Sequence, residues 1–253
     1  MITLYSQLGF ANQIWIYAEA RFLAWKYNLK MVFGKHIVGQ LKHEQKFCLP
    51  DAFYIDWPNG QVLHGTPQVA NFQNTPAILK TEPTKPISYY AFTCRTAFLP
   101  PMDMLRQWLR PKYIIQNSNT NIIHIRLNDM LYDGYERDEP NSHLSLIALY
   151  HFYNASISLL DRTKHTEIVT DDINHPFAQA ISTKHNIPIH KNTWLIDWYK
   201  LCNASTIVVH YRSTFGWWAS QFGNIQKVIT CQIANPSPIT VKASERLWFY
   251  DNK

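Results

Sequence analysis

Between residues 121 and 232 short apolar runs alternate with stretches of helical spacing, and no other feature restricts the possible folds as much. NIIHIRL (121–127), TEIVTDD (166–172), IPIH (187–190), STIVVHY (205–211) and KVITCQI (227–233) read as strands. Residues 142–160, 175–185, 193–204 and 213–223 read as helices, the third with Trp194, Asp197, Trp198 and Leu201 on one face. Strand and helix in turn predict an α/β fold with a parallel sheet. An unbroken apolar run such as IVVHY predicts a strand buried on both faces. The chain opens in the same way. ITLY (2–5) is followed by a loop. A helix is then expected from Ile14 to about Asn28, and KMVFG (30–34) makes a second strand, completing a βαβ unit. Residues 35–100 hold Pro50, Pro58, Pro67, Pro76, Pro83 and Pro86, so loops are expected to dominate there, with ISYYAFTC (87–94) the best strand. A helix is predicted over 102–110. The polar run QNSNTN (116–121) is the expected boundary between domains 1–115 and 116–253.

Composition narrows the function. Hydrophobic residues make up 46% of the chain and charged residues 17%, enough to bury a core and too apolar for a disordered chain. Only eight glycines occur, and neither Gly-x-Gly-x-x-Gly nor a Walker loop is present. The four cysteines are scattered without a Cys-x-x-Cys pair, which argues against a zinc site and for free thiols in a reducing compartment. No apolar run approaches the ~20 residues of a membrane span. Asn12, Gln13 and Glu19 interrupt what would be a signal peptide, so a cytoplasmic protein is expected. Residues 1–126 carry 13 basic and 6 acidic residues, net +7; the remainder carry 11 and 12, net −1. The cations are dispersed, so a solvated basic surface is favoured and no nucleic-acid partner is expected. Attraction to phosphorylated ligands or to an anionic membrane surface stays open.

In an open parallel sheet, ligands bind beyond the carboxyl ends of the strands. Three segments sit at such ends. After strand 121–125 stand His124, Arg126 and Asp129; alternation aims His124 and Arg126 the same way, and the arginine fork suits a diphosphate. The bland alternative is an arginine paired with Asp129. After strand 205–211 stand Ser213, Thr214, Phe215, Gly216, Trp217, Trp218 and Ala219; Ser213 or Thr214 is a natural N-cap, and the helix start behind it attracts anions. An ordinary capped helix with Trp217 and Trp218 in the core is equally compatible. After strand 2–5 stand Phe10, Ala11, Asn12 and Gln13, where Asn12 either caps the helix or faces a ligand.

Taken together, these segments resemble the alpha-1,2-fucosyltransferase family, within the wider GDP-fucose transferases. Asn12-Gln13 with Tyr17-Ala18 matches the family's opening loop and helix. His124, Arg126 and Asp129 match its His-x-Arg-Arg-x-Asp motif, and Cys202-Asn203 followed by Ser213 to Ala219 matches its third. Thr170-Asp171-Asp172 matches a turn between the last two. Three positions depart: Ala11 and Asn128 replace glycines, and Leu127 replaces the second arginine.

The resemblance implies two Rossmann-like domains facing a cleft, the GT-B-like glycosyltransferase design, with a final helix packing back on the N-terminal domain. It implies an inverting transfer of L-fucose from GDP-fucose to a glycan hydroxyl, the O2 of a galactose-like residue, without metal or other cofactor. Catalytic roles fall to Arg126, Asp129 and Asn12. Donor binding falls to His124, Arg126, Asp171, Asp172, Ser213, Thr214 and Phe215. Asp171 and Asp172 have a bland alternative as helix caps. The partners are a GDP-sugar and an oligosaccharide or glycoconjugate acceptor. No general base stands out among Asp129, Asp133, Glu136, Asp138 and Glu139. The readings left beside this one are a transferase of another GDP-sugar and a non-catalytic sugar-nucleotide or glycan-binding module. Without an evident anchor, a bacterial or viral enzyme is expected rather than a Golgi one. No oligomeric state is assigned.

Overall fold

The computed structural model describes residues 1–5, 9–34, 48–71, 73–90, 96–116, 118–127, 146–232 and 235–241. It divides into two compact units at Tyr113 and Ile114. Both are α/β, with parallel sheets as the alternation predicts.

In the N-terminal unit a four-stranded parallel sheet has the order β2-β1-β5-β4. Its strands are β1 (Ile2–Leu4), β2 (Met31–Phe33), β4 (Gln68–Ala70) and β5 (Ile87–Tyr89). A separate antiparallel pair joins β3 (Phe53–Ile55) to β6 (Leu109–Pro111). The region 35–100, expected to be mostly loop, therefore holds β3, β4 and short Leu49–Ala52 and Thr75–Lys80 helices, and the helix predicted over 102–110 ends at Trp108, with β6 following it. Strands of three residues are too short to show an alternating pattern, and prolines at their flanks hid them.

The first helix runs Phe10–Lys26, starting four residues before Ile14. It is buried on most of its circumference rather than on one stripe. Its polar side chains are answered inside the unit. Glu19, fully buried, accepts a 2.7 Å hydrogen bond from the Tyr89 hydroxyl. Arg21 pairs with Asp56 at 2.7 Å and lies 4.1 Å from the centre of the Trp108 ring. Gln13 accepts from the Cys48 amide at 2.8 Å.

The C-terminal unit is a six-stranded sheet of order β12-β11-β10-β7-β8-β9. Its strands are β7 (Thr120–Ile125), β8 (His165–Thr170), β9 (Ile189–His190), β10 (Thr206–Val209), β11 (Lys227–Gln232) and β12 (Asn235–Val241). All neighbours are parallel except β12, which closes the edge antiparallel to β11. The expected final helix would lie beyond Val241, outside the described residues. β7 and β10 stand at the centre, and every residue of β10 is buried, as its apolar run predicts.

Chain direction reverses at that centre. From β7 the chain moves outward to β8 and β9; from β10 it moves the opposite way to β11. Right-handed crossovers then put the Leu146–Ser158 and Pro176–His185 helices on one face, and the Trp194–Asn203 and Thr214–Phe222 helices on the other. The packing agrees. Leu149, Phe152, Tyr153, Phe177 and Ile181 form one core with Ile123, Ile125, Leu127 and Val208. On the opposite face Trp198 meets Phe215 and Phe222, with ring centroids 5.5 and 6.2 Å apart.

The Thr214–Phe222 helix approaches β10 closely. A Cβ on Gly216 would lie 2.4 Å from Val209 Cγ1, so only glycine lets the helix sit there. Gly216→Val is expected to destabilise the fold by about 2 kcal/mol or more through overpacking, lowering Tm by several degrees. An unchanged urea midpoint would contradict this close approach.

Candidate functional site

The reversal between β7 and β10 is a switch point in the sheet, and open α/β sheets usually bind ligands outside the carboxyl ends of the strands at such a point. His124, Arg126 and Ser213 belong to the two segments that end there. His124 is the fifth residue of β7 and faces Val209 of β10 across the parallel ladder. Arg126 follows the strand and is half-buried. Beyond β10, a turn at His210 to Arg212 leads to Ser213, the N-cap of the Thr214–Phe222 helix. Its hydroxyl accepts from the Gly216 amide at 3.1 Å.

The two segments touch. Ser213 Oγ lies 3.2 Å from His124 Nδ1, and the Phe215 ring centroid is 5.5 Å from the His124 ring centroid. The His124 backbone is fixed from the other face, where the Tyr153 hydroxyl donates to its carbonyl at 2.9 Å. Tyr153 was not singled out by the sequence. It reads there only as one more apolar position on a helix.

Asp171 binds the same region through the main chain. Its Oδ1 accepts from the Leu127 amide at 2.9 Å, joining the end of β8 to the residue after Arg126. Asp172 Oδ1 accepts from the Asn174 amide at 3.0 Å, closing a turn. Neither caps the next helix. His175 does so, its Nδ1 accepting from the Phe177 amide at 3.2 Å. Trp217 and Trp218 are buried as the bland reading expected, and the capped helix start coexists with them. Asp129 and the acids at 133, 136, 138 and 139 lie outside the described residues. Among the described residues no cluster of three His, Cys, Asp or Glu side chains suits a metal ion, and no helix is long and apolar enough to cross a membrane.

In the N-terminal unit Asn12 is the third residue of its helix and not the cap. Gly9 holds that position without a side-chain hydrogen bond. The Asn12 Oδ1 atom is buried and has no hydrogen-bond partner among the described residues. A buried acceptor left unmet costs about 1–3 kcal/mol, the kind of deficit that a ligand relieves.

A parallel α/β unit with polar groups at a central switch point has the architecture in which open α/β sheets bind ligands. No protein-family model and no curated protein sequence matches the chain. Solved structures do, and they show what fold it shares. The alpha-1,6-fucosyltransferase NodZ soaked with GDP-fucose is 14% identical, over 95% of this chain and 98% of that one, with a TM-score of 0.57. The fucosyltransferase NodZ from Bradyrhizobium gives a TM-score of 0.55 at 14% identity, over 96% and 98%. A point variant of Arabidopsis thaliana FUT1 in complex with GDP gives 0.53 at 11% identity, over 94% and 73%. The chain therefore has the α/β fold of these fucosyltransferases.

One buried group near the switch point carries a pH dependence. Burial, with Arg212 beside it, pushes His210 down from the usual 6.5 to about 3. The unfolded chain takes up this proton near pH 6.5, whereas the folded chain resists it until about pH 3. Stability from neutral His210 is thus full above pH 6.5 and lost as pH falls towards 3, in total on the order of 5 kcal/mol. His210→Phe is expected to reduce the slope of unfolding free energy below pH 6.5 by up to ~1.4 kcal/mol per pH unit. Identical slopes for both proteins in urea melts at pH 6.5, 6.0 and 5.5 would rule this out.

Proposed function

We propose that this chain is an inverting, metal-independent glycosyltransferase that moves L-fucose from GDP-fucose to a glycan hydroxyl, the O2 of a galactose-like residue. The observation carrying this reading is the joining of the His124–Arg126 segment to the Ser213-capped helix start at the reversal between β7 and β10. The fold shared with fucosyltransferases, including one soaked with GDP-fucose and one in complex with GDP, supports it. The two compact units are proposed to be the two Rossmann-like domains of the GT-B-like design, the C-terminal one holding GDP.

In this reading the bond between the sugar's anomeric carbon and the β-phosphate oxygen breaks as the acceptor oxygen attacks from the opposite side. The electron pair stays with the diphosphate, and the acceptor hydroxyl's proton passes to solvent or to the departing diphosphate. Arg126 meets that growing charge with two parallel N–H donors, and the first turn of the Thr214–Phe222 helix meets it with backbone N–H groups and a positive dipole end. Thr214 and Phe215 belong to that turn. Asp129 is assigned to hold Arg126 or His124. Asp171 and Asp172 are assigned to the ribose or guanine. Asn12 is assigned to the sugar or pyrophosphate, and its unmet amide oxygen supports a ligand contact there.

Two experiments test this. GDP is expected to raise Tm in a thermal-shift panel with UDP, CMP and ADP, because a ligand specific for the folded state stabilises it. Stabilisation by UDP and not GDP would overturn the nucleotide assignment. A hydrolysis panel of GDP-fucose, GDP-mannose and other GDP-6-deoxyhexoses then separates fucose from the alternative donors.

Arg126→Ala is expected to lose at least about a hundredfold in turnover, measured in EDTA, while Tm holds. Arg126→Lys should stay strongly impaired, because lysine keeps the charge and loses the fork. A lowered Tm with normal turnover per folded molecule would mean a structural arginine, and activity that needs added manganese would mean a metal site.

A further inference from the structure

A serine hydroxyl has one proton to give and two lone pairs. At Ser213 one lone pair is taken by the Gly216 amide, 3.1 Å away. The hydroxyl is buried, with Ser213 2% exposed, so its proton has no water to turn to. Among the described residues the acceptor within reach is His124 Nδ1, at 3.2 Å, and His124 is itself 7% exposed. Were Nδ1 protonated, the ring and the Gly216 amide would both donate to Ser213 Oγ. The hydroxyl proton would then be buried without an acceptor, at a cost of about a five- to hundredfold bias against that arrangement.

We propose that Ser213 is a positioning residue that locks His124 in the tautomer with the proton on Nε2, so that the ring presents an N–H donor to an oxygen of the bound sugar nucleotide. The ligand half of this proposal rests on the proposed function; the tautomer half does not. The assignment also moves Ser213 away from direct donor contact. Its hydroxyl is committed to Gly216 and His124, and it acts on the ligand through the ring.

Two-dimensional long-range proton–nitrogen NMR on the full chain, labelled with 15N-histidine, reads the tautomer directly. His124→Gln identifies the His124 signals among the eleven histidines. At pH about 8.5, where an ordinary imidazole is neutral, wild type should show a protonated Nε2 and a bare Nδ1. Ser213→Ala should let the two nitrogens average, and Ser213→Thr, which keeps the hydroxyl, should restore the lock. Ser213→Asp separates this role from capping. Aspartate caps helices as well as serine does, yet an ionised carboxylate only accepts, so it should place a proton on Nδ1. A protonated Nδ1 in wild type, or an Asp variant that leaves Nδ1 bare, overturns the lock. GDP added to the same sample should shift the Nε2–H signal. If the lock is present and GDP binds without moving that signal, the ligand half is overturned. If GDP does not bind at all, the proposed function fails while the tautomer result stands.

Discussion

The parallel pairing of β10 with β7 is the constraint on which the C-terminal unit depends. It sets Val209 opposite His124 and leaves both strands ending side by side, with the next strands, β8 and β11, on opposite sides of the pair. The usual ligand space of an open α/β sheet lies beyond them. The groups around that space are held mainly by backbone hydrogen bonds. Tyr153 holds the His124 carbonyl from one face, and Asp171 holds the Leu127 amide from the next strand. Ser213 holds the Gly216 amide at the helix start.

The close approach of the Thr214–Phe222 helix to β10 serves the same end. Gly216 lets that helix lie against Val209, and the approach brings Ser213 and Phe215 to the His124 ring. The aromatic residues behind it, Trp198, Trp218 and Phe222, are buried and stacked edge-on or tilted. They fill the face of the sheet that the helix would otherwise leave open. The Trp pair that reads as a bland core and the helix start that reads as an anion site are thus one construction.

Much of the C-terminal unit was legible because its strands and helices are long enough to show their period. The helix at 194–203 and strands β7, β8, β10 and β11 fall where spacing and apolar runs put them. The N-terminal unit was less legible for two physical reasons. Its strands are three residues long, below the length at which alternation can be seen. Its first helix is buried nearly all round, so the boundary between polar loop and amphipathic helix that suggested Ile14 does not exist. Residues Phe10, Ala11 and Gln13 are already buried helix. At the site, Arg126, His124 and Ser213 were visible because strand ends and N-caps carry local signals. Tyr153, His210 and the tie from Asp171 to Leu127 were not. Each is a contact between residues far apart in sequence whose local pattern is that of ordinary core or turn.

Leu127 shows how geometry changes the meaning of a sequence departure. Read along the chain, leucine in place of a second arginine removes a cation from beside Arg126. In the fold, residue 127 is 1% exposed and packs with Ile123, Ile125 and Leu149, on the face of the sheet opposite His124. Only its amide takes part near the switch point, through Asp171. With this backbone, an arginine at 127 would enter that core instead of joining Arg126, at a desolvation cost that a lone cation cannot recover. The leucine therefore removes little from the place where Arg126 stands.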